Sequence, residues 1–195
     1  MYQAGRPTFR LSAKPVNEAR MWMYEGIAGG IQPWWHHVGA YHEDRRVYNT
    51  AGAVMEWHRK NEMFLTGLTP LASVGVVWSQ QNMDFFGRDS AEYRVELPFR
   101  GIAQALIRAG IPFLPVHADH IERESGKLQL LILPNIGSMT TGQIEAVRKF
   151  AARGGNILAT GATSLYDEWG DPLSDFVLAD IFGVHCKGIA TDMDE

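Results

Sequence analysis

The stretch Ile31 to Arg46 reads "IQPWWHHVGAYHEDRR", which sets two tryptophans, three histidines, a tyrosine and four charged groups within sixteen residues. Three chemistries fit that density. Imidazoles and carboxylates can ligate a metal ion, with His36, His37, His42 and Asp44 as the available donors. Tryptophan faces can stack on the apolar faces of sugar rings while His, Asp and Arg bond the hydroxyls. The third reading is structural, with core tryptophans and solvated histidines. Adjacent His36 and His37 point to opposite faces if extended backbone runs through them, which weakens the metal reading. The favoured expectation is a carbohydrate pocket rimmed by Trp34, Trp35, His36 and His37, with no metal assigned.

Other residues that could do chemistry are better explained without it. His117, Asp119 and His120 in "PVHADHI" lack a third ligand segment and read as a solvated loop. Gly161, Ala162, Thr163 and Ser164 occupy a strand-to-helix turn where amidotransferase-like domains place a nucleophile, but no cysteine stands there. Ser164 alone does not make a triad. Cys186, the single cysteine, lies in "FGVHCKG", away from that turn, and reads as structural; His185 beside it reads as surface. Neither GxGxxG nor GxxxxGK[ST] occurs, so no nucleotide cofactor is expected.

These residues need elements to hold them. "PVNEARMWMYEGIA" (15–28) places Val16, Ala19, Met23 and Ile27 at helical spacing and stops at Gly29-Gly30. "IQPWW" follows as a short strand candidate, and residues 47–65 as a second helix. From Pro70 the pattern changes. Ala72–Ser79, the run beginning at Pro112, Leu128–Asn135 and Asn156–Gly161 read as buried parallel strands. Between them lie helices over 93–110 and 140–155, the latter with a Thr cap and a Gly-Gly stop. "PLSDFVLADIFGV" reads as a closing helix. Such alternation predicts an α/β fold, a flavodoxin-like three-layer αβα sandwich, preceded by a helix-strand-helix passage.

With 195 residues, 46% of them apolar, the chain has room for one large domain or a domain plus an appendage. A formal charge of −4 gives no footprint for nucleic acid or an acidic membrane. One cysteine excludes an intrachain disulfide and suits a reducing cytoplasm. No apolar run approaches the roughly 18 residues of a spanning helix.

With these elements in place, the chain resembles a known family. "KPVNEARMWMYEGIAGGIQPWWHHVGAYHEDRR" is similar to the last β/α unit of the catalytic barrel in family 42-like glycoside hydrolases. Leu71 to Val184 resembles the β-galactosidase trimerisation domain that follows that barrel. The second likeness rests on "ASVGVVWSQQN", "LPFRGIAQALIRAGIPFLPVHADHI", "LQLLILPNIGSMTTGQIEAVRKFAARGGNILATGATSLYDEWG" and "LADIFGV".

The resemblance implies two parts, a barrel unit over 1–68 and an assembly domain of amidotransferase-like fold over 69–195. In that family the acid/base and nucleophile carboxylates come from earlier barrel strands, and no matching motif stands here. Glu18 and Glu25 fall on a helix ahead of the last strand, so no catalytic residue is assigned. The expectation is a C-terminal piece of a larger hydrolase, inactive alone and without cofactor, whose partner is a second and third copy of itself. Met83, Phe85 and Phe86 in "NMDFFGRDSAEY", read as a loop, are the candidate interface. A metal-dependent hydrolase, an amidotransferase-like hydrolase and a flavodoxin-like small-ligand module are the alternatives.

Overall fold

A computed structural model describes residues 14–35 and 44–188. The chain divides into two compact units, Met1–Thr69 and Pro70–Glu195.

In the first unit, helix α1 (Val16–Ala28) and helix α2 (Gly52–Leu65) pack through Met23, Ile27, Ala51 and Val54. Arg20 fastens α1 to the turn before α2, donating from Nε to the Thr50 carbonyl at 2.9 Å. The second predicted helix is broken in two. A 3₁₀ turn, Arg45–Asn49, precedes α2 and is capped by Asp44, which accepts from the Arg46 N–H. Residues 31–35 are not a strand. A strand forms only with a ladder partner, and no described segment of this unit supplies one.

The second unit is a four-stranded, all-parallel sheet of order β2-β1-β3-β4. The strands are β1 (Val74–Trp78), β2 (Phe113–His117), β3 (Leu130–Pro134) and β4 (Asn156–Thr160). Pro115, which has no N–H to give a ladder, sits on edge strand β2. Because side chains alternate across a strand, the two sheet faces build separate cores. Val74, Val76 and Ile132 meet Phe99, Ile102 and Leu106 of helix α3 (Leu97–Arg108). Val77, Val116, Leu131 and Leu133 meet the opposite layer, where α4 (Ile121–Glu124) and α5 (Thr141–Ala152) contribute Ile121, Ile144, Val147 and Phe150. This is the three-layer αβα sandwich. Thr140 and Gln143 close a full capping box at the start of α5.

Two segments differ from expectation. "NMDFFGRDSAEY" is helical: wide turns over Asn82–Gly87 and Glu92–Glu96 flank a 3₁₀ turn, Arg88–Ser90, and lead into α3. The closing helix shrinks to one turn, α6 (Ala179–Phe182). Its predicted first half is tied elsewhere, since Leu173 N–H donates to the Leu165 carbonyl and Val177 N–H to that of Ser164. Among the described residues no helix is long and apolar enough to cross a membrane.

Candidate functional site

The tryptophan stretch forms a cleft against α1. The helix ends in a Schellman turn: Gly30, at φ +84°, takes the left-handed position, and the Ile31 N–H reaches back to the Gly26 carbonyl at 2.9 Å. That turn folds Ile31–Trp35 back along the helix. The resulting cleft of about 300 Å³ is lined by Trp22, Met23, Ile27, Ile31, Trp34 and Trp35, with Lys14 at one end. Trp35 packs on the α1–α2 core, whereas Trp34 is 75% exposed. The Lys14 ammonium lies 3.7 Å from the Trp22 ring centroid and 2.6 Å from Glu18, so Glu18 is already paired. Aromatic walls with one charged end suit a ligand that has an apolar face and polar edges. His36, His37 and His42 lie outside the described residues. Asp44 is bound to the Arg46 guanidinium at 2.6 Å as well as capping its turn. Among the described residues no three His, Cys, Asp or Glu side chains are placed to hold a metal ion. Glu25 is exposed on α1 and does not line the cleft.

In the second unit the carboxyl ends of the strands are where a parallel sheet takes its ligands. Here the crevice between β1 and β3 is filled. Asn82, fully buried, donates from Nδ2 to the Asn135 carbonyl at 3.2 Å and accepts at Oδ1 from the Ser138 N–H at 3.0 Å. Asn135, at φ +54°, stands just past β3; its Nδ2 donates to the Arg94 carbonyl and its Oδ1 accepts from the Ala162 N–H. Ser164 also has positive φ, but it is buried and its Oγ accepts from the Leu178 N–H. The Thr163 hydroxyl lies 2.7 Å from the Thr160 carbonyl and accepts from the Ile136 N–H. Both hydroxyls brace turns. His117 accepts from the Asp119 N–H, Asp119 accepts from Gln143, and His120 faces Arg123. Cys186 is half-buried, with its N–H on Asp175, and the same carboxylate holds His185 at 2.6 Å. Those two contacts, the Cys186 amide first, hold Asp175 below its ordinary pKa.

No family model matches the chain, and no curated protein matches it in sequence. Solved structures do. A β-galactosidase from Bacillus circulans sp. alkalophilus superposes with a TM-score of 0.75 at 20% identity, over 94% of this chain and 30% of that one. A catalytic mutant of a GH42 β-galactosidase from G. stearothermophilus gives 0.54 at 18% identity, over 69% and 21%. An α-L-fucosidase isoenzyme from Paenibacillus thiaminolyticus gives 0.56 at 22% identity, over 78% and 23%. The fold is the one found within β-galactosidase chains. This chain spans less than a third of each of those three proteins.

Set on this β-galactosidase fold, the three aromatic or thioether residues proposed for an interface part company. Phe86 is 5% exposed; its ring packs at a tilt on Tyr166, 4.8 Å between centroids, and lies under the Arg94 guanidinium. It is therefore core, because the segment is helical and turns that ring inward. Phe85 is half-buried, edge-on to Trp169 at 5.4 Å, and Met83 is half-buried. Sequence reasoning missed Asn135 as the strained residue at a strand end. Its signal was "LPN", since Asn is among the few residues that tolerate positive φ. It also passed over Trp169, an aromatic in the turn-rich "YDEWGDP".

Proposed function

We propose that the chain is an assembly domain, with the final barrel segment before it, of a β-galactosidase-like glycoside hydrolase. The observation that carries this is the fold likeness to a β-galactosidase over 94% of the chain. The Trp-lined cleft supports a carbohydrate role for the first segment, with Trp34 and Trp35 at the rim of a sugar pocket; His36 and His37, expected beside them, lie outside the described residues. The cleft lining contains no Asp or Glu among the described residues, and glycoside hydrolysis needs two such carboxyl groups. In this reading the chain alone binds sugar without cleaving it. Aryl β-galactosides should turn over no faster with it than with heat-denatured protein. Reproducible hydrolysis that disappears in Glu25→Gln would contradict this reading.

The assembly role is self-association, as a ring of three copies in which each presents one surface to a different surface of the next. Met83 and Phe85 are half-covered, and the larger exposed apolar stripe runs along α3 and its flanks. Tyr93, Leu97 and Ile107 are exposed along α3 and the turn before it, and Ile111 just past its end, while Phe99, Ile102 and Leu106 face the sheet. Sedimentation velocity at about 50 µM, a concentration that populates micromolar assemblies, should show a trimer that Leu97→Ser/Ile107→Ser converts to monomer. A monomeric parent chain, or a trimer indifferent to both substitutions, defeats the assignment. The filled crevice at Asn82 and Asn135 leaves a flavodoxin-like ligand module without its usual site.

A further inference from the structure

The second unit presents one aromatic side chain in a way its own packing does not require. Trp169 is 60% exposed, yet the loop that carries it is braced from three directions. Arg88 donates to the Trp169 carbonyl at 3.0 Å, Gln81 to the Glu168 carbonyl at 2.7 Å, and the Ser138 hydroxyl to the Asp167 carbonyl at 2.6 Å. Asp167 Oδ1 accepts from the Trp169 and Asp171 N–H groups, and the indole stands perpendicular on Phe85. Gly170 sits at φ +79°, where any side chain would overlap the Phe85 carbonyl. Bracing of this kind fixes a large apolar surface in water before anything binds, which lowers the entropy lost on binding.

Beside Trp169 lies a cleft of about 480 Å³, within the size range of small-ligand sites. Ile144, Leu173 and Val177 give it an apolar lining. Its rim holds Glu145, Glu168 and the Tyr166 hydroxyl, none with a hydrogen-bond partner among the described residues. The one cation among the lining residues, Arg148, is held by two hydrogen bonds to Asp180, at 2.9 and 3.2 Å, and one to the Val177 carbonyl, and also interacts electrostatically with Glu145. The cleft thus keeps a net negative rim, an aromatic platform and vacant acceptors.

We propose that this cleft binds a neutral saccharide, its ring stacked on Trp169 and its hydroxyls donating to Glu145 and Glu168. A protein partner is the weaker fit, because carboxylates are depleted at the centre of protein interfaces. Uronates and sugar phosphates are rejected, since their charge would meet Glu145 and Glu168 with no free cation to offset it. This site is separate from the tryptophan cleft on α1 and does not depend on the role given to that cleft.

Fluorine NMR of the full chain labelled with 5-fluorotryptophan tests the proposal, because each of the six tryptophans reports on its own surroundings. Trp169→Phe identifies the Trp169 signal. Lactose should move that signal saturably, with a dissociation constant in the millimolar range, while galacturonate should not. Glu145→Gln/Glu168→Gln should leave the unliganded signal in place and weaken lactose about fivefold or more. No saturable shift with lactose or cellobiose up to about 50 mM, well above a millimolar constant, overturns the proposal. So does a Trp169 signal that moves with protein concentration alone, which would assign the surface to a second copy. The Trp34 and Trp35 signals report the other cleft independently, so failure at one site is distinguishable from failure at the other.

Discussion

Among the described residues, the first unit buries six apolar residues and leaves ten large apolar side chains exposed, whereas the second buries twenty and exposes ten. Helix α1 shows the difference most clearly. Ala19, Met23 and Ile27 are buried, but Met21, Trp22 and Tyr24 stand exposed, Tyr24 edge-on to Trp57 of α2 at 5.4 Å. In the second unit, each sheet face closes on its own helix layer. The lesson is that the two units differ in closure: the sandwich covers most of its apolar side chains, whereas the described residues of the first unit leave more of theirs exposed than buried.

Deleting a large core side chain is the strongest way to probe that difference. Phe150→Ala should lower the stability of the sandwich by about 3–5 kcal/mol in urea denaturation. Met23→Ala, in the other unit, should leave the same transition within about 0.5 kcal/mol. If both substitutions shift one shared transition equally, the units are not independent. A smaller effect is expected from Asn82→Ala, which strips the Asn135 carbonyl and the Ser138 N–H of their buried partner. About 1–3 kcal/mol should be lost by the same assay, and no loss would mean the plug at the strand ends is not structural.

On the first unit's side of the comparison, Trp34→Ala should change stability by no more than about 0.5 kcal/mol, as for other exposed sites. It should nevertheless abolish the lactose response of the neighbouring Trp35 fluorine signal. The least effect concerns pH. The Asp175 carboxylate is held below its ordinary pKa, so its contribution is present at neutral pH and is lost as pH falls through that lowered value. Hydrogen exchange at the Cys186 amide, corrected for the intrinsic rate, should therefore accelerate only below the ordinary carboxylate range. In Asp175→Asn the added sensitivity should vanish.

Much of this fold was legible in the sequence, for physical reasons. β1 and β3 announce themselves as short β-branched or aliphatic runs because both faces of the sheet are buried there. β4 carries a similar run at the sheet edge, where Leu158 is exposed rather than buried as expected. The Thr140 cap and Gln143 define the start of α5 three residues apart. What was hidden depends on contacts remote in sequence. Gly87, Asp89 and Ser90 make residues 82–96 look like a loop, and only Asn82's bonds to Asn135 and Ser138 show why that segment winds into turns. The segment from Pro172 has helical periodicity, but its backbone is claimed by Ser164 and Leu165. At the candidate sites, the sequence placed Trp34 and Trp35 in a strand, whereas residues 31–35 form none and line a cleft with α1. It assigned Phe86 to the surface, which only the direction of the helical turn decides. Trp169 carried no periodic signal at all, since its loop is built by long-range hydrogen bonds.

Hydrogen exchange resolved along the whole chain, at neutral pH, tests the contrast between the two units most directly. The account predicts that amides of Val74–Trp78, Leu130–Pro134 and Asn156–Thr160 exchange only with global unfolding, while those of α1 and residues 31–35 exchange far sooner. Equal protection in α1, residues 31–35 and the three strands would contradict it.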